Sequence, residues 1–594
     1  MSFRDRLGSK KEYLITGGLV LCVIALATVI CPPLYSMNDD VMMKSILSGA
    51  YTGTPDGHAV YMKYPLTGII SLLYRMTGAI SWFDLVMVGC FWLSLSAVIC
   101  RGLQLSRKAY KGSRLLVLVA AVVCLSAALF LPHLLTQHYT LVAAMVGSSA
   151  LFLVVTGGGS VWVVLLILCY CIRSQVFYML LPFLGITVLW ALASKKRKSL
   201  FIQLAAAAAG ILVCMLWNGL MYQSQDWKLF MEYNDSRTQL LDYDGILPYE
   251  ENIELFEEAG ITREQHRIME EYVLVLENGV TAKTMELAAN LAADKRDSER
   301  TAAGYLIDCV KEYYYHIMYT DQPYNLIMIG GYLLVLALLL KKRAYLKLLL
   351  VCCLAGGRSL IWVFLIWRGR FPERIYVSLY FLDIMILTGM ILELLCLQRA
   401  RRADDLRIEP MPECSQPVGA VALSDSRAFK RFIPQVLGGL VSLLLLAAFI
   451  NQFQIMYDRT VEQAMKQRKY EAMVQYCSQQ PKTLYLLDVR SMVSYTGKVW
   501  QTAKEQENYL LAGGWISASP LVEARLLGAV DGGALLAAGA GDVTDCCYVI
   551  APNRDIAWLQ EYLSVRFRDV QLEKIDSVTL DGADIFYVYR PVRN

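Results

Sequence analysis

Charged residues are scarce in this sequence. Asp, Glu, Lys and Arg make up 18% of its 594 residues, whereas a soluble globular protein carries about 25%. Hydrophobic residues reach 56%, and the mean hydropathy is +0.42. The composition therefore argues against an ordinary soluble protein. The net charge of +4 is too small to indicate nucleic acid as a partner.

Several short motifs are also missing. The sequence has no CxxC and no HExxH, which argues against a structural zinc site or a zinc protease site. Most of the 16 cysteines lie in apolar runs, where cysteine acts as a small hydrophobe. No internal repeat is visible. Residues 13–35 are too long for the apolar core of a signal peptide and lack a small-residue cleavage site, so they predict a membrane anchor.

Long apolar runs are present throughout the first 450 residues. A helix needs about 20 such residues to cross a bilayer. The sequence predicts an all-α polytopic membrane protein with about 11 transmembrane helices and a small extracytoplasmic α/β domain at its C-terminus. The predicted spans are 13–34, 82–100, 114–131, 138–156, 160–172, 175–193, 200–222, 323–340, 346–367, 375–396 and 432–450.

Lys and Arg in the connections predict the orientation, because these residues concentrate on the cytoplasmic side. The basic stretches are 4–11, 101–114, 195–198, 341–347 and 397–431. All of these stretches can lie on the cytoplasmic side only if residues 35–81 stay outside as one loop, although the apolar segment 64–80 resembles a span. That segment is short and carries Arg75, so we interpret it as an interfacial or re-entrant helix. The prediction is a multi-pass plasma-membrane protein with a cytoplasmic N-terminus and an extracytoplasmic C-terminal domain.

The chain divides into two predicted domains. Residues 1–450 form the transmembrane domain. It includes outer loop one (35–81, with two interfacial helices), a large helical outer loop (223–322) and a basic cytoplasmic loop (397–431). Residues 451–594 form the α/β domain, with a helix near 457–477, the strands "TLYLLDV" and "CCYVIAP", the helix "RDIAWLQEYLSVRF" and closing strands near "VQLEKI" and "IFYVYRPV".

An acidic pair, Asp39 and Asp40 in "SMNDDVMMK", follows the first span. One interpretation is structural, because Asn and Asp cap helix N-termini and acidic residues complement the helix dipole. The other is catalytic: a carboxylate at the outer membrane face acts as a general base or ligates a metal. Adjacent residues on a helix face different ways, so at most one of the two points into a site.

Five arginines are candidates for binding a phosphate, which the arginine fork suits. Arg173 and the cluster "WRGRFPER" lie at predicted outer ends of spans. Pairing with Glu373 or contact with lipid headgroups would also explain the cluster. Arg358 lies mid-span, where a charge is costly and requires a cavity or a partner. The candidates are Arg173, Arg358, Arg368, Arg370 and Arg374.

Further polar residues offer weaker signals. His58, Tyr61 and Lys63 in outer loop one would bind a sugar or a diphosphate, or else belong to a solvated linker. His133, Gln137 and His138 in "PHLLTQHY" would line the same outer cavity or ligate a divalent ion.

The long outer loop one and "NDD" (38–40) resemble the GT-C superfamily of integral membrane glycosyltransferases, and an outer domain after the last span is common there. Asp39 and Asp40 match its acidic pair. The resemblance implies a bacterial surface-polysaccharide enzyme, a hexosyl- or pentosyltransferase. It would move sugar from a polyprenyl-phosphate carrier to a cell-surface glycan, teichoic acid or lipid-linked acceptor, with Mg²⁺ or Mn²⁺ as an expected cofactor if one is used.

Two alternatives remain open. One is a polysaccharide polymerase or ligase with lipid-diphosphate donors, in which outer Arg and His residues carry the chemistry. The other is a non-enzymatic transporter or assembly scaffold.

Overall fold

A computed structural model describes residues 3–194, 197–299, 301–408, 424–492, 494–503, 506, 508–538 and 545–593. Within these ranges, 10 helices are long and apolar enough to cross a membrane. This confirms the multi-pass, mostly helical character of the chain. The helices that contain these segments are α1 (Phe3–Ile30), α4 (Trp82–Ala109), α5 (Ser113–Phe130), α6 (Tyr139–Thr156), α8 (Ser174–Ala193), α9 (Arg197–Met221), α15 (Tyr324–Lys342), α16 (Tyr345–Trp367), α17 (Glu373–Ile408) and α18 (Ser424–Ser478).

The remaining predicted span, 160–172, is the shorter helix α7 (Val161–Ile172) of 12 residues. At 1.5 Å per residue it is about 18 Å long, less than the roughly 30 Å of a bilayer core. The next residue, Arg173, is extended (φ −152°, ψ 100°), and α8 begins directly after it. Arg173 therefore lies in a one-residue break between two helices.

Outer loop one contains two short helices, α2 (Asn38–Ser48) and α3 (Tyr64–Met76). Both are too short to cross a bilayer; their location at the outer interface stays a prediction. A short strand before α2, β1 (Leu34–Tyr35), pairs in parallel with β2 (Thr136–Gln137) directly before α6. This pairing brings the beginning of α2 close to the beginning of α6.

Helix α6 forms the centre of the membrane domain. Its span is buried along its whole length, and it contacts α4, α7, α8 and α17. Its small residues permit this close packing: a Cβ on Gly147 would lie 2.7 Å from a methyl carbon of Leu180. The N-terminus of α6 is consequently held in one place by the surrounding helices.

The segment 223–322, named the large outer loop above, is mostly helical, and its location outside the membrane stays a prediction. Its helices lead from α9 to the cis-proline turn before α15. They are α10 (Gln225–Thr238), a π-helix (Gln239–Asp244), α11 (Ile253–Glu258), α12 (Arg263–Glu271), α13 (Ala282–Glu299), α14 (Ala302–Tyr315) and a second π-helix (His316–Thr320).

The last predicted span and the predicted helix 457–477 are one continuous helix. Helix α18 runs for 55 residues, so no break separates the two domains at residue 450. The segment of α18 that contains the apolar stretch, Gln435–Ser478, has 44 residues and is about 66 Å long. Its apolar half is long enough for a bilayer, and its polar half carries the α/β domain.

The C-terminal sheet is mixed, with the strand order β4-β3-β5-β7-β6. Strands β4, β3 and β5 are parallel, whereas β7 and β6 form an antiparallel ribbon. Only β4, of three residues, was not predicted. The elements are β3 (Leu484–Leu487), α19 (Val489–Met492), β4 (Tyr509–Leu511), α20 (Pro520–Glu523), α21 (Gly532–Ala538), β5 (Cys546–Ile550), α22 (Ala557–Arg566), β6 (Val570–Leu580) and β7 (Ala583–Arg593).

A buried carboxylate joins the two domains. Asp84, in the first turn of α4, accepts hydrogen bonds from Lys44 Nζ (2.7 Å) and the backbone N–H of Trp500 (2.9 Å). Tyr35 and Ser81 donate to it as well. Removing one partner of a buried ion pair typically costs about 3–5 kcal/mol. This network therefore fixes α2, α4 and the C-terminal domain relative to one another.

Candidate functional site

The acidic pair does not cap its own helix. The N-cap of α2 is Met37, whose side chain makes no capping hydrogen bond, and Asp39 and Asp40 follow in the first turn. Acidic residues in this position complement the helix dipole. Their side chains point to different surroundings, which gives the two carboxyls different properties.

Asp40 is 1% exposed. Its Oδ1 accepts a hydrogen bond from the backbone N–H of Tyr139 at 3.0 Å, and no described residue bonds its Oδ2. Burial, and then the charge of Asp39, raises the pKa of Asp40 well above its ordinary value. Asp40 is thus a buried acid whose oxygen pairs with one of the free N–H groups at the beginning of α6.

Asp39 is half-buried, and among the described residues it has no hydrogen bond or ion pair. Burial raises its pKa, although Arg374, Arg173 and Arg237 oppose the rise. A carboxylate with a raised pKa and no partner has the properties of a general base that operates nearer to neutral pH. Of the two aspartates, Asp39 is therefore the available one.

Arg173 lies over two aromatic rings next to this carboxylate. Its guanidinium carbon is 4.9 Å from the ring centre of Tyr61 and 5.2 Å from that of Tyr139. Its Nη1 is buried and bonds no described residue. A buried guanidinium nitrogen without an acceptor is costly, so the arrangement favours an anionic ligand.

Lys63 lies beside Arg173. Burial lowers its pKa, and the charge of Arg173 lowers it further. Its backbone N–H donates to the carbonyl of Cys171 (2.8 Å), which ties outer loop one to the end of α7. Neither cation has a carboxylate partner among the described residues. Two neighbouring cations without a paired carboxylate are suited to binding an anion.

Arg374 and His138 both contact the sulfur of Met37. Arg374 Nη1 and His138 Nε2 each lie 3.3 Å from its Sδ. His138 Nδ1 accepts from the N–H of Thr140 at 3.0 Å, so the proton of the neutral ring is on Nε2. Burial, assisted by Arg374 and Arg173, lowers the pKa of His138 well below its ordinary value. His138 is a neutral cap of α6.

The other two arginines of the cluster have protein partners. Arg370 forms an ion pair with Asp242, and Arg368 Nη2 lies 3.5 Å from Oε1 of Gln239. Both guanidinium groups lie over the ring of Tyr243, at 5.8 and 5.0 Å from its centre. They connect the loop before α17 to the π-helix of the outer loop, at the edge of the site.

The structure does not bring Arg358 or His58 into contact with Asp39. Arg358 Nε lies 3.1 Å from Asp383 Oδ2, and its Nη1 donates to the hydroxyl of Tyr313 (3.0 Å). Asp383 is the partner that a mid-span arginine requires. His58 uses both ring nitrogens: Nδ1 is 2.6 Å from Asp56 Oδ1 and Nε2 is 3.1 Å from the carbonyl of Met221.

Arg237 of α10 is a charged residue at the site that the sequence does not indicate. It is 2% exposed, donates to the hydroxyl of Tyr272 (3.0 Å) and lies 3.9 Å from Asp242. Its charge acts on both Asp39 and Tyr61. An arginine in a polar outer loop gives no local signal of such a position, because only the folding of the loop brings it to α2.

The surroundings of the acidic pair do not fit a divalent cation. Three arginines act on Asp39, and one oxygen of Asp40 is bonded to Tyr139. The described ranges contain no group of three or more His, Cys, Asp or Glu side chains arranged for a metal. The expectation of Mg²⁺ or Mn²⁺ at Asp39 and Asp40 stays a prediction.

None of the protein-family models, curated proteins or solved structures compared with this chain matches it. The functional argument therefore rests on the site itself.

Proposed function

We propose that this protein is a membrane glycosyltransferase of GT-C type, which moves a sugar from a polyprenyl-phosphate carrier to an acceptor hydroxyl. The acceptor would be a cell-surface glycan, a teichoic acid or a lipid-linked saccharide, at the outer face of the plasma membrane. One observation carries the proposal. An unpaired carboxylate, Asp39, lies among cations of which Arg173 keeps a buried, unpartnered Nη1.

In the proposed reaction, Asp39 takes the proton of the acceptor hydroxyl while that oxygen attacks the anomeric carbon of the donor sugar. The bond between the anomeric carbon and the phosphate oxygen breaks, and the phosphate leaves with the electron pair. Arg173, Lys63 and Arg374 offset the charge that develops on it. The products are the glycosylated acceptor, the polyprenyl phosphate and a proton, which Asp39 passes to water.

The aromatic side chains fit the same reaction. The ring centres of Tyr61 and of Trp515 in the C-terminal domain are 4.8 Å apart. The ring of Tyr61 also stacks on that of Tyr139, with 6.3 Å between the centres. Together with Arg173 they form a wall of rings beside Asp39. Apolar ring surface next to charged groups lowers the local dielectric constant and so strengthens their electrostatic interactions.

Binding of the product tests the anion site without knowledge of the sugar. We expect polyprenyl phosphate to raise the unfolding temperature of the detergent-solubilised protein, because a ligand that binds only the folded state stabilises it. The uncharged polyprenol is the matched control and should give a clearly smaller shift. Equal shifts would show that only the lipid chain is recognised, and the proposal would fail. A larger shift with polyprenyl diphosphate would favour the polymerase or ligase.

The pH dependence of transfer tests the base. Because burial raises the pKa of Asp39, the base form is lost at a higher pH than for an ordinary aspartate, whose pKa is about 3.9. We expect kcat/KM to be constant above the raised pKa and to fall about tenfold per pH unit below it. The acid limb should be measured with a donor whose phosphate does not titrate in the same range. A limb at the ordinary aspartate pKa would contradict the assignment.

A further inference from the structure

Helix α14 lies along one end of the spanning helix α16. Near the beginning of α14, the hydroxyl of Tyr305 donates to the carbonyl of Trp367, the last residue of α16 (2.9 Å). Near its end, the hydroxyl of Tyr313 lies 2.6 Å from Oγ of Ser359. The two contacts are eight positions apart in each helix, and the order is reversed. At 1.5 Å per residue, α14 therefore follows α16 antiparallel for about 12 Å from the end at Trp367.

The surface of α14 that does not contact α16 has an apolar face and a polar face. Successive residues of an α-helix are about 100° apart, so residues three or four positions apart share a face. Asp308 and Lys311 form an exposed pair on the polar face, with 3.1 Å between Oδ1 and Nζ. The apolar face consists of four exposed side chains: Leu306, Ile307, Val310 and Tyr314.

This apolar face lies at the same depth as exposed apolar residues of α16. Leu360 and Phe364 are 73% and 60% exposed and lie between Ser359 and Trp367. They belong to a helix that is long and apolar enough to cross a membrane, so lipid is the medium that covers them. A contiguous exposed apolar face marks an interaction surface. The neighbouring surface of α16 indicates that the partner of α14 is the same lipid.

The turn after α14 has polar groups that protein side chains satisfy. Asp321 is 5% exposed, and its carboxylate accepts from the hydroxyls of Tyr380 (3.1 Å) and Thr320 (2.9 Å). Asn325, which is fully buried, donates through Nδ2 to the carbonyl of Ile317 (2.9 Å). Backbone that is not regular helix is tolerated at membrane depth only where the protein satisfies its polar groups. The turn meets this condition at these positions.

We propose that α14 and this turn form a re-entrant segment that enters the bilayer and contacts lipid acyl chains through the apolar face of α14. The segment would reach about 12 Å below the end of α16. Since the hydrocarbon core is about 30 Å thick, it stays within one half of the bilayer. The face with Asp308 and Lys311 remains in water, as in other amphipathic helices at a membrane. This proposal does not rest on the transfer reaction.

The test places the photoreactive residue p-benzoylphenylalanine at single positions of the full-length protein in phospholipid nanodiscs. Illumination links it to neighbouring C–H groups, and mass spectrometry identifies the adducts. In place of Val310 it should form adducts with acyl chains at a yield similar to that in place of Leu360. The yield should be at least tenfold lower in place of Lys311 or Val565. Val565 is the matched control, because it is a helical valine, 63% exposed, in the C-terminal domain.

Leu306 provides a second position on the same face, so a variant that misfolds at position 310 does not decide the result. Gel filtration of each variant identifies the folded ones. Three results would overturn the proposal: equal lipid yields at positions 310 and 565, adducts with lipid headgroups alone, or adducts with a second copy of the chain in place of lipid. The Asp39→Asn variant should give the same adducts, whatever happens to transfer, which separates this proposal from the proposed function.

Discussion

Asp39→Asn should abolish sugar transfer, whereas Asp40→Asn should retain most of it. A positioned general base contributes about 10²–10⁴-fold to a rate, and asparagine cannot accept the proton. Asparagine at position 40 keeps an amide oxygen that accepts from the N–H of Tyr139, as Asp40 Oδ1 does at 3.0 Å. We expect kcat of Asp39→Asn to fall at least 10²-fold and that of Asp40→Asn to stay within tenfold.

The two neighbouring variants control for each other. Each replaces one oxygen by NH₂ at the beginning of α2, so a general effect on folding or insertion would affect both. Protein level, gel-filtration profile and unfolding temperature should be measured beside the transfer rate. Loss of activity in Asp40→Asn with an active Asp39→Asn would reverse the roles. Normal transfer by both would remove the loop-one carboxylates from the reaction and favour the polymerase or the scaffold.

Arg173→Gln should lower transfer about 10²–10³-fold, the usual effect of removing one donor that stabilises developing charge. The same variant should lose the stabilisation by polyprenyl phosphate. Arg173→Lys should recover little, because a single ammonium cannot both lie over Tyr61 and donate as a planar fork. The measurements are kcat/KM in reconstituted vesicles and the ligand-induced shift in unfolding temperature.

Arg368→Gln is the matched control for Arg173. Arg368 belongs to the same set of outer arginines, but it is exposed and contacts Gln239 and Tyr243 of the outer loop. We expect its transfer rate to change less than fivefold. Equal losses in both variants would mean that the positive charge of the whole surface matters, and that Arg173 has no special position.

Local patterns were sufficient to predict the features that depend on local sequence. Hydropathy identified the apolar helices, and short runs of apolar and aromatic residues identified four of the five strands of the C-terminal sheet. The interruption at Arg173 was placed correctly at a helix end, because a charge next to an apolar run indicates a boundary. The predicted bounds 160–172 also match α7, and the error was to count this helix of 12 residues as a full span, for which it is too short.

Contacts between segments that are distant in the sequence could not be predicted from such local patterns. Nothing near Arg358 indicates that Asp383, 25 positions later, compensates its charge. Likewise, Arg237 reaches Asp39 only through the folding of the outer loop, and Trp515 reaches Tyr61 only through the docking of the C-terminal domain. The acidic pair itself was found from sequence. The different roles of its two members depend on Tyr139, 99 positions away from Asp40.

The unbroken helix α18 has a mechanical consequence. In a protein whose outer domain is joined by a flexible linker, the orientation of that domain does not depend on the tilt of the spanning helix. Here the spanning segment and the first helix of the domain are one continuous helix of 55 residues. When this helix tilts in a bilayer of different thickness, the sheet attached to its other end changes orientation with it. Because the Asp84 network holds the C-terminal domain to α2 and α4, Trp515 and Asp39 would move together with α18.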